Sequence, residues 1–250
     1  MERWQEGHEK IRMTSALWPP LTVIFIFLGF ISLARSEQID VIIHAVNYPP
    51  YEIENPGQDG LRGFDVEVVI EAFKRVGMSA DVEFLPWNRV LSMAKKGTTV
   101  AALSCAKSES RDHFFNYSDP ISQSTNAFVA STDFKGTDPK HLIDAKGYRI
   151  IAVRGYVNEL DLKKEKLEYQ YAMNDLAALN LLLKRDFDFF YTTIEFIKYV
   201  AVDLNVADQL QYFDMQLSKN YHLCFSRHWP NSEALLAKFN SGLAQVRADG

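Results

Sequence analysis

Asp81-Val-Glu-Phe-Leu-Pro-Trp-Asn-Arg-Val-Leu-Ser-Met-Ala-Lys-Lys-Gly-Thr-Thr-Val-Ala-Ala-Leu103 changes its periodicity twice. Asp81 to Leu85 alternates as a half-buried strand, Pro86 opens a helix that runs to Lys96, and Gly97 closes it. Thr99 to Leu103 is again strand-like, so the stretch is a β-α-β unit, whose helical crossover makes the strands parallel. Upstream, the β-branched run Val41 to Val46 is stopped by Asn47-Tyr-Pro-Pro-Tyr51, and Gly57, Gly60 and Gly63 mark a turn-rich connection. Asp65 is the expected N-cap of a helix over Val66 to Val76. Val66, Val69, Ile70, Phe73 and Val76 share one face of it, and Gly77 is its stop. Downstream, 121–131 is an extended run, after which the pattern restarts. A short helix is expected at 142–146, a strand at 149–153, a helix at 174–184, a strand at 188–191 and a helix at 194–202. A last strand at 221–225 precedes a terminal helix from about Ser232 to Ala248. Two β-α-β units joined by extended crossovers predict an α/β protein of two lobes with a cleft between them.

Composition agrees and removes other classes. Of 250 residues, 47% are hydrophobic and 24% charged, as in ordinary globular chains. Twelve Gly and nine Pro are too few for a collagenous or low-complexity chain. Two Cys are too few for a disulfide framework or a Cys-rich zinc scaffold. A net charge of −5 gives no reason to seek nucleic acid. The uncharged block Leu21 to Leu33 follows Arg3, Lys10 and Arg12 and ends in Ala34-Arg35-Ser36, the order of a secretory signal peptide over residues 1–36. The run is short for a bilayer span, and a retained anchor is the alternative. No Cys lies near the cleavage site, which disfavours a lipid anchor and predicts a soluble periplasmic protein. An oxidising compartment permits a Cys105–Cys224 disulfide, with two buried free thiols as the alternative.

Catalytic signatures are thin. G-x-S-x-G, H-E-x-x-H, a Walker loop and G-x-G-x-x-G are all missing, and Ser104-Cys-Ala-Lys107 matches S-x-x-K with no K-T-G to follow. Six scattered His show no metal spacing, so neither a metal nor a cofactor is expected. The informative stretch is Ser104-Cys-Ala-Lys-Ser-Glu-Ser-Arg-Asp-His-Phe-Phe-Asn-Tyr-Ser-Asp-Pro120. A strand ends near Ser104, Ser108 is placed to cap a short helix, and Arg111 falls in that helix's first turn. Helix N–H groups with a planar guanidinium make a carboxylate receptor. On spacing alone, a surface Arg that caps the loop is the competing reading. Tyr48, Tyr51 and Trp87 fit core packing and a ligand wall equally well.

With Asn47-Tyr-Pro-Pro-Tyr-Glu52, Gly63-Phe-Asp-Val-Glu67 and the Leu-rich helix before Asp188, this stretch resembles the family 3 extracellular solute-binding proteins of polar amino-acid ABC transporters, over essentially all of residues 39–250. Ser108 through Arg111 to Tyr117-Ser-Asp-Pro120 is similar to the family's T-x-E-R followed by F-S-D-P-Y. The resemblance implies a two-lobed periplasmic binding protein type II fold, each lobe a mostly parallel sheet flanked by helices. It implies lobe 1 over 37–128, lobe 2 over 129–216 and a return to lobe 1 over 217–250, with hinges near 126–131 and 213–219. It also implies a monomer without catalytic activity that binds one small carboxylate-bearing solute for a permease in the inner membrane. By position it makes Arg111 the carboxylate holder, Tyr48 and Trp87 aromatic walls with Tyr51 nearby as a further ligand-binding candidate, and Ser104 a backbone contact. Arg154, Gly155 and Tyr156 fall in the second-lobe turn that contacts ligand. Two positions depart from the family: Ala106 replaces a ligand-binding Thr, and Thr193 stands where the family has the Asp that takes the ligand's ammonium, with Glu195, two positions on but on a different helix face, as the alternative acceptor. The family's last helix typically runs on beyond Ala248-Asp-Gly250, which leaves a clipped carboxyl terminus as one alternative. The alternatives are a dehydratase-like enzyme, with Glu195, Glu52 or His222 as its acid or base, and a sensor that signals to a membrane partner.

Overall fold

The computed structural model describes residues 40–184 and 187–249. The apolar block and the expected signal peptide lie outside the described residues. Strand β1 (Val41–Ala45) pairs in parallel with both β2 (Ala80–Phe84) and β3 (Ala101–Ala106). Helices α1 (Phe64–Arg75) and α2 (Trp87–Lys96) are the crossovers, so the first half of the chain folds as its periodicity predicts. In the second half, β5 (Ile150–Val153) lies parallel to β6 (Gln170–Ala172) and β7 (Phe189–Thr193). Around them are α3 (Val157–Lys164), α4 (Asp175–Leu183) and α5 (Ile194–Asp203), and α6 (Ser232–Asp249) ends the chain.

The two wings are joined by two long strands, β4 (Phe115–Ser131) and β8 (Leu210–Ser226). They run antiparallel from Phe115 opposite Ser226 to Ser131 opposite Leu210 and give one sheet in the order β2-β1-β3-β8-β4-β7-β5-β6. The sequence suggests much shorter strands here. Polar residues such as Asn116, Ser118 and Gln123 hide the alternation, and the pairing register slips at Tyr117/Pro120, Pro120/Ser122 and Asn126/Ala127. Pro120, which has no N–H to give, sits at one of these irregularities.

Apolar faces close each wing. Val66, Val69 and Phe73 of α1 and Phe239 and Leu243 of α6 pack with Ile43, Val82, Leu103 and Phe225 of the sheet. In the second wing, Phe128, Ile150, Leu162, Phe189 and Tyr191 form the corresponding core. Each such side chain contributes roughly 1.5–3 kcal/mol by burial.

Two local expectations are corrected, and two elements are additions. Gly63, not Asp65, occupies the N-cap of α1, and Asp65 is a buried first-turn residue that accepts from Ser104 Oγ at 2.5 Å and Ser122 Oγ at 3.0 Å. Strand hydroxyls have taken the carboxylate that would otherwise cap the helix. No helix forms after Ser108: residues 109–114 are turns, and Ser108 Oγ bonds Ser110 Oγ at 2.8 Å. The chain passes straight into β4, so Arg111 acts without a helix start. Finally, α3 and the three-residue β6 carry no periodicity strong enough to be read in advance.

Candidate functional site: the cleft between the wings

The loop after β1 folds back on itself. Tyr48 N–H donates to Glu52 O at 2.9 Å and Glu52 N–H to Tyr48 O at 3.1 Å, around a cis Pro49–Pro50 bond. The Gly63-Phe-Asp segment grips that loop, Phe64 N–H donating to Pro50 O and Asp65 N–H to Tyr51 O. Gly63 has φ +100°, and a Cβ there would stand 2.4 Å from Tyr51 O and 2.9 Å from Glu52 Cα. Gly63→Ala is therefore expected to destabilise the protein by about 3 kcal/mol from backbone strain and overlap. A thermal midpoint within 1–2 °C of the parent, against a drop of about 6–12 °C expected for a chain of this size, would overturn that assignment.

Tyr48, Trp87, Ser104, Arg111 and Tyr156 line one cavity between the wings. Arg111 is 4% exposed. Its Nη1 donates to Ala106 O at 3.0 Å and its Nη2 to Gly155 O at 2.8 Å, with the guanidinium 5.4 Å from the Trp87 ring. Burial pulls its pKa down to about 10, which leaves it a cation at neutral pH. Trp87 Nε1–H also donates to Gly155 O at 3.0 Å. The carbonyl of Gly155, between β5 and α3, thus ties the second wing to two residues of the first. Gly155 has φ +81°, and its N–H donates to Glu159 Oε2 at 2.7 Å.

The aromatic wall crosses the cleft. The Tyr48 ring stacks on Phe196 of α5 at 4.3 Å with the planes 3° apart, and meets Tyr156 edge-on at 5.8 Å. Tyr156 OH donates to Asp175 Oδ2 at 2.9 Å, and burial pushes Asp175 up to about 7. Ser104, at φ +46°, gives its hydroxyl to Asp65, which burial likewise pushes up to about 7.

The other predicted residues stand outside the cavity lining. Tyr51 is buried behind it, with its OH on Gln123 O at 3.0 Å and its ring against Phe64 and Tyr221. Thr193 is buried, with its hydroxyl 3.3 Å from both Asn126 Oδ1 and Tyr221 OH. Arg154 is exposed and lies 3.5 Å over the Tyr171 ring. Glu195 accepts from Thr125 N–H at 3.0 Å, and His222 Nδ1 is 2.7 Å from Ser118 O. Neither lines the cavity.

Sequence reasoning did not select three residues that do line it as binding groups: Glu52, Asn158 and Tyr221. Glu52 is fully buried, and neither carboxyl oxygen has a hydrogen-bond partner. Ser104 lies close by, but its one hydroxyl proton goes to Asp65. Desolvation, then the neighbouring Asp65, pushes Glu52 well above the usual carboxylate range. Asn158 Nδ2 is a second buried group with no partner. The signals were an acid set among Tyr51 and Ile53 after two prolines, and an amide just past Gly155. Cys105, also in the lining, forms a disulfide with Cys224 that fixes β3 to β8 and settles the alternatives left open by spacing. Among the described residues no cluster of three or more His, Cys, Asp or Glu could hold a metal, and no helix is long and apolar enough to cross a membrane.

An α/β sheet drawn into two lobes by a long strand pair, with a polar and aromatic cavity between them, defines a two-lobed periplasmic-binding-protein fold. Residues 39–250 match the bacterial extracellular solute-binding proteins, family 3, and the chain belongs to that family. It is 30% identical over 101 residues to the L-cystine-binding protein TcyA of Bacillus subtilis strain 168, a match that spans 40% of this chain and only 37% of that relative. Among solved structures it is similar to a histidine kinase sensor domain with similarity to periplasmic binding proteins. The TM-score is 0.76 and the identity 21%, over 86% of this chain and 93% of the other. It is also similar to the arginine-, lysine-, histidine-binding protein ArtJ of Geobacillus stearothermophilus, with TM-score 0.71 and 20% identity, over 84% and 90%. At these identities the structural likenesses establish the fold.

Proposed function

We propose that this protein captures a small carboxylate-bearing solute, an amino acid or a derivative of one, in the periplasm and presents it to an ABC transporter permease in the inner membrane. It would act as a monomer and without catalysis, its signal peptide being residues 1–36. The lobes are residues 37–128 with 217–250, and 129–216, closing by a hinge within the two long strands. The observation that carries this reading is Arg111, a buried cation in the interlobe cavity. Two of its five N–H groups go to backbone carbonyls, which orient the guanidinium and leave donors for a carboxylate. Tyr48, Trp87, Ser104 and Tyr156 would enclose the solute, and Asn158 Nδ2 would add a donor. Tyr51 and Thr193 would support the wall from behind, and Arg154 would act at the rim. The relatives named for binding cystine, or arginine, lysine and histidine, point to the same solute class.

A thermal-shift screen of L-amino acids, L-cystine, simple amines and organic acids tests the proposal. A true ligand at one hundred times its Kd adds about 2.7 kcal/mol. A rise seen only with amines that carry no carboxylate would sink it. The likeness to a kinase sensor domain favours one second reading, a ligand sensor. Affinity capture from membranes separates the two: recovery of a permease supports transport, and recovery of a histidine kinase without a permease supports sensing.

A further inference from the structure

We infer that Glu52, on the first lobe, is the group that receives the ligand's ammonium, in the place of an acid on the second lobe. This deepens the carboxylate-binding reading above and rests on it.

An amino acid brings a cation as well as an anion into the cleft, and a desolvated ammonium without a partner costs several kcal/mol. The second lobe lines the cavity with Tyr156, Val157 and Asn158, none of them acidic. Thr193 is neutral, buried and already engaged with Asn126 and Tyr221. Asp175 has one oxygen on Tyr156 OH and does not line the cavity. Glu52 does line it, is fully buried, and has two carboxyl oxygens with no donor. Among the described residues it makes no ion pair, so Arg111 leaves it free. A buried acceptor with no donor is costly to keep, and the missing donor is what an ammonium supplies.

The position of Glu52 is fixed by the fold. Its backbone is bridged to Tyr48 on both sides, and Gly63 lies tight against its Cα. The groups coupled to it electrostatically are the Asp65 carboxyl, the Ser104 hydroxyl and the Tyr156 and Tyr221 phenols, none of them basic. In the free protein burial and Asp65 favour the neutral carboxyl. Binding an ammonium ionises it and expels a proton, so affinity for an amino acid rises with pH through the free-state titration of Glu52.

The test uses the L-amino acid that gives the largest thermal shift and the 2-hydroxy acid with the same side chain, measured by calorimetry. Wild type should bind the amino acid at least tenfold more tightly, with an affinity that rises with pH and a proton released on binding. Glu52→Gln should lose at least tenfold for the amino acid, cost the hydroxy acid much less and stop the proton release. Glu52→Asp should recover part of the difference. Wild-type protein that does not distinguish the two ligands overturns the inference even if a variant fails to fold, as does a Gln variant that binds the amino acid as wild type does. If hydroxy acids bind and amino acids do not, the ammonium assignment falls while the Arg111 reading stands. If neither class binds, both fall.

Discussion

Arg111→Ala is expected to weaken binding of a carboxylate ligand by about 30-fold to several thousand-fold, because truncating one member of a buried charge pair costs roughly 2–5 kcal/mol. The folded state should survive. The guanidinium is already penalised by burial, as its lowered pKa shows, and its fixed partners are two backbone carbonyls. Loss of binding with an unchanged circular dichroism spectrum is therefore the signature, and calorimetry on the best ligand of the thermal screen reads it. Unchanged affinity would remove Arg111 from the site. A collapsed spectrum would mean that the residue mainly joins the lobes. The Gly155 carbonyl, which accepts from both Arg111 and Trp87, is where such a structural role would reside.

Breaking the Cys105–Cys224 bond is expected to have the largest effect on stability. It joins positions 119 residues apart, and the chain-entropy account puts the contribution of so long a loop at about 5 kcal/mol. For a chain of this size that corresponds to a fall of about 10–20 °C in the thermal midpoint. The double variant Cys105→Ala/Cys224→Ala, or the parent in reductant, should show it, and a shift under about 3 °C would refute it. The bond's Cys105 is in the cavity lining, next to Ala106, whose carbonyl accepts from Arg111. Ligand affinity should fall with it by a smaller factor as that lining loosens.

The β-α-β units were legible because each element carries its own periodicity and stop signals: Pro86 and Gly97 bound α2 in the sequence as they do in the structure. The long strands were not. A strand whose hydrogen bonds run to a partner about a hundred positions away needs no alternation of its own, and the β4–β8 register includes polar pairs such as Gln123 opposite Asn220 and Thr125 opposite Ser218. Likewise Asp65 looked like a helix cap because spacing shows only local partners, while Ser104 and Ser122 reach it from β3 and β4.

The site divides along the same line. Resemblance in the sequence singled out Arg111, Tyr48, Trp87, Ser104 and Tyr156, and all five line the cavity. It also singled out Tyr51, Arg154 and Thr193, which the fold sets behind the wall or at the surface. The sequence by itself determined the class of fold, because periodicity and turn chemistry are local properties of the chain. The tertiary structure alone decided that Cys105 meets Cys224, that Gly155 joins the wings, and that the carboxyl of Glu52 lies buried without a partner. Whether a polar atom is satisfied depends on every element packed around it, and no single stretch of sequence carries that information.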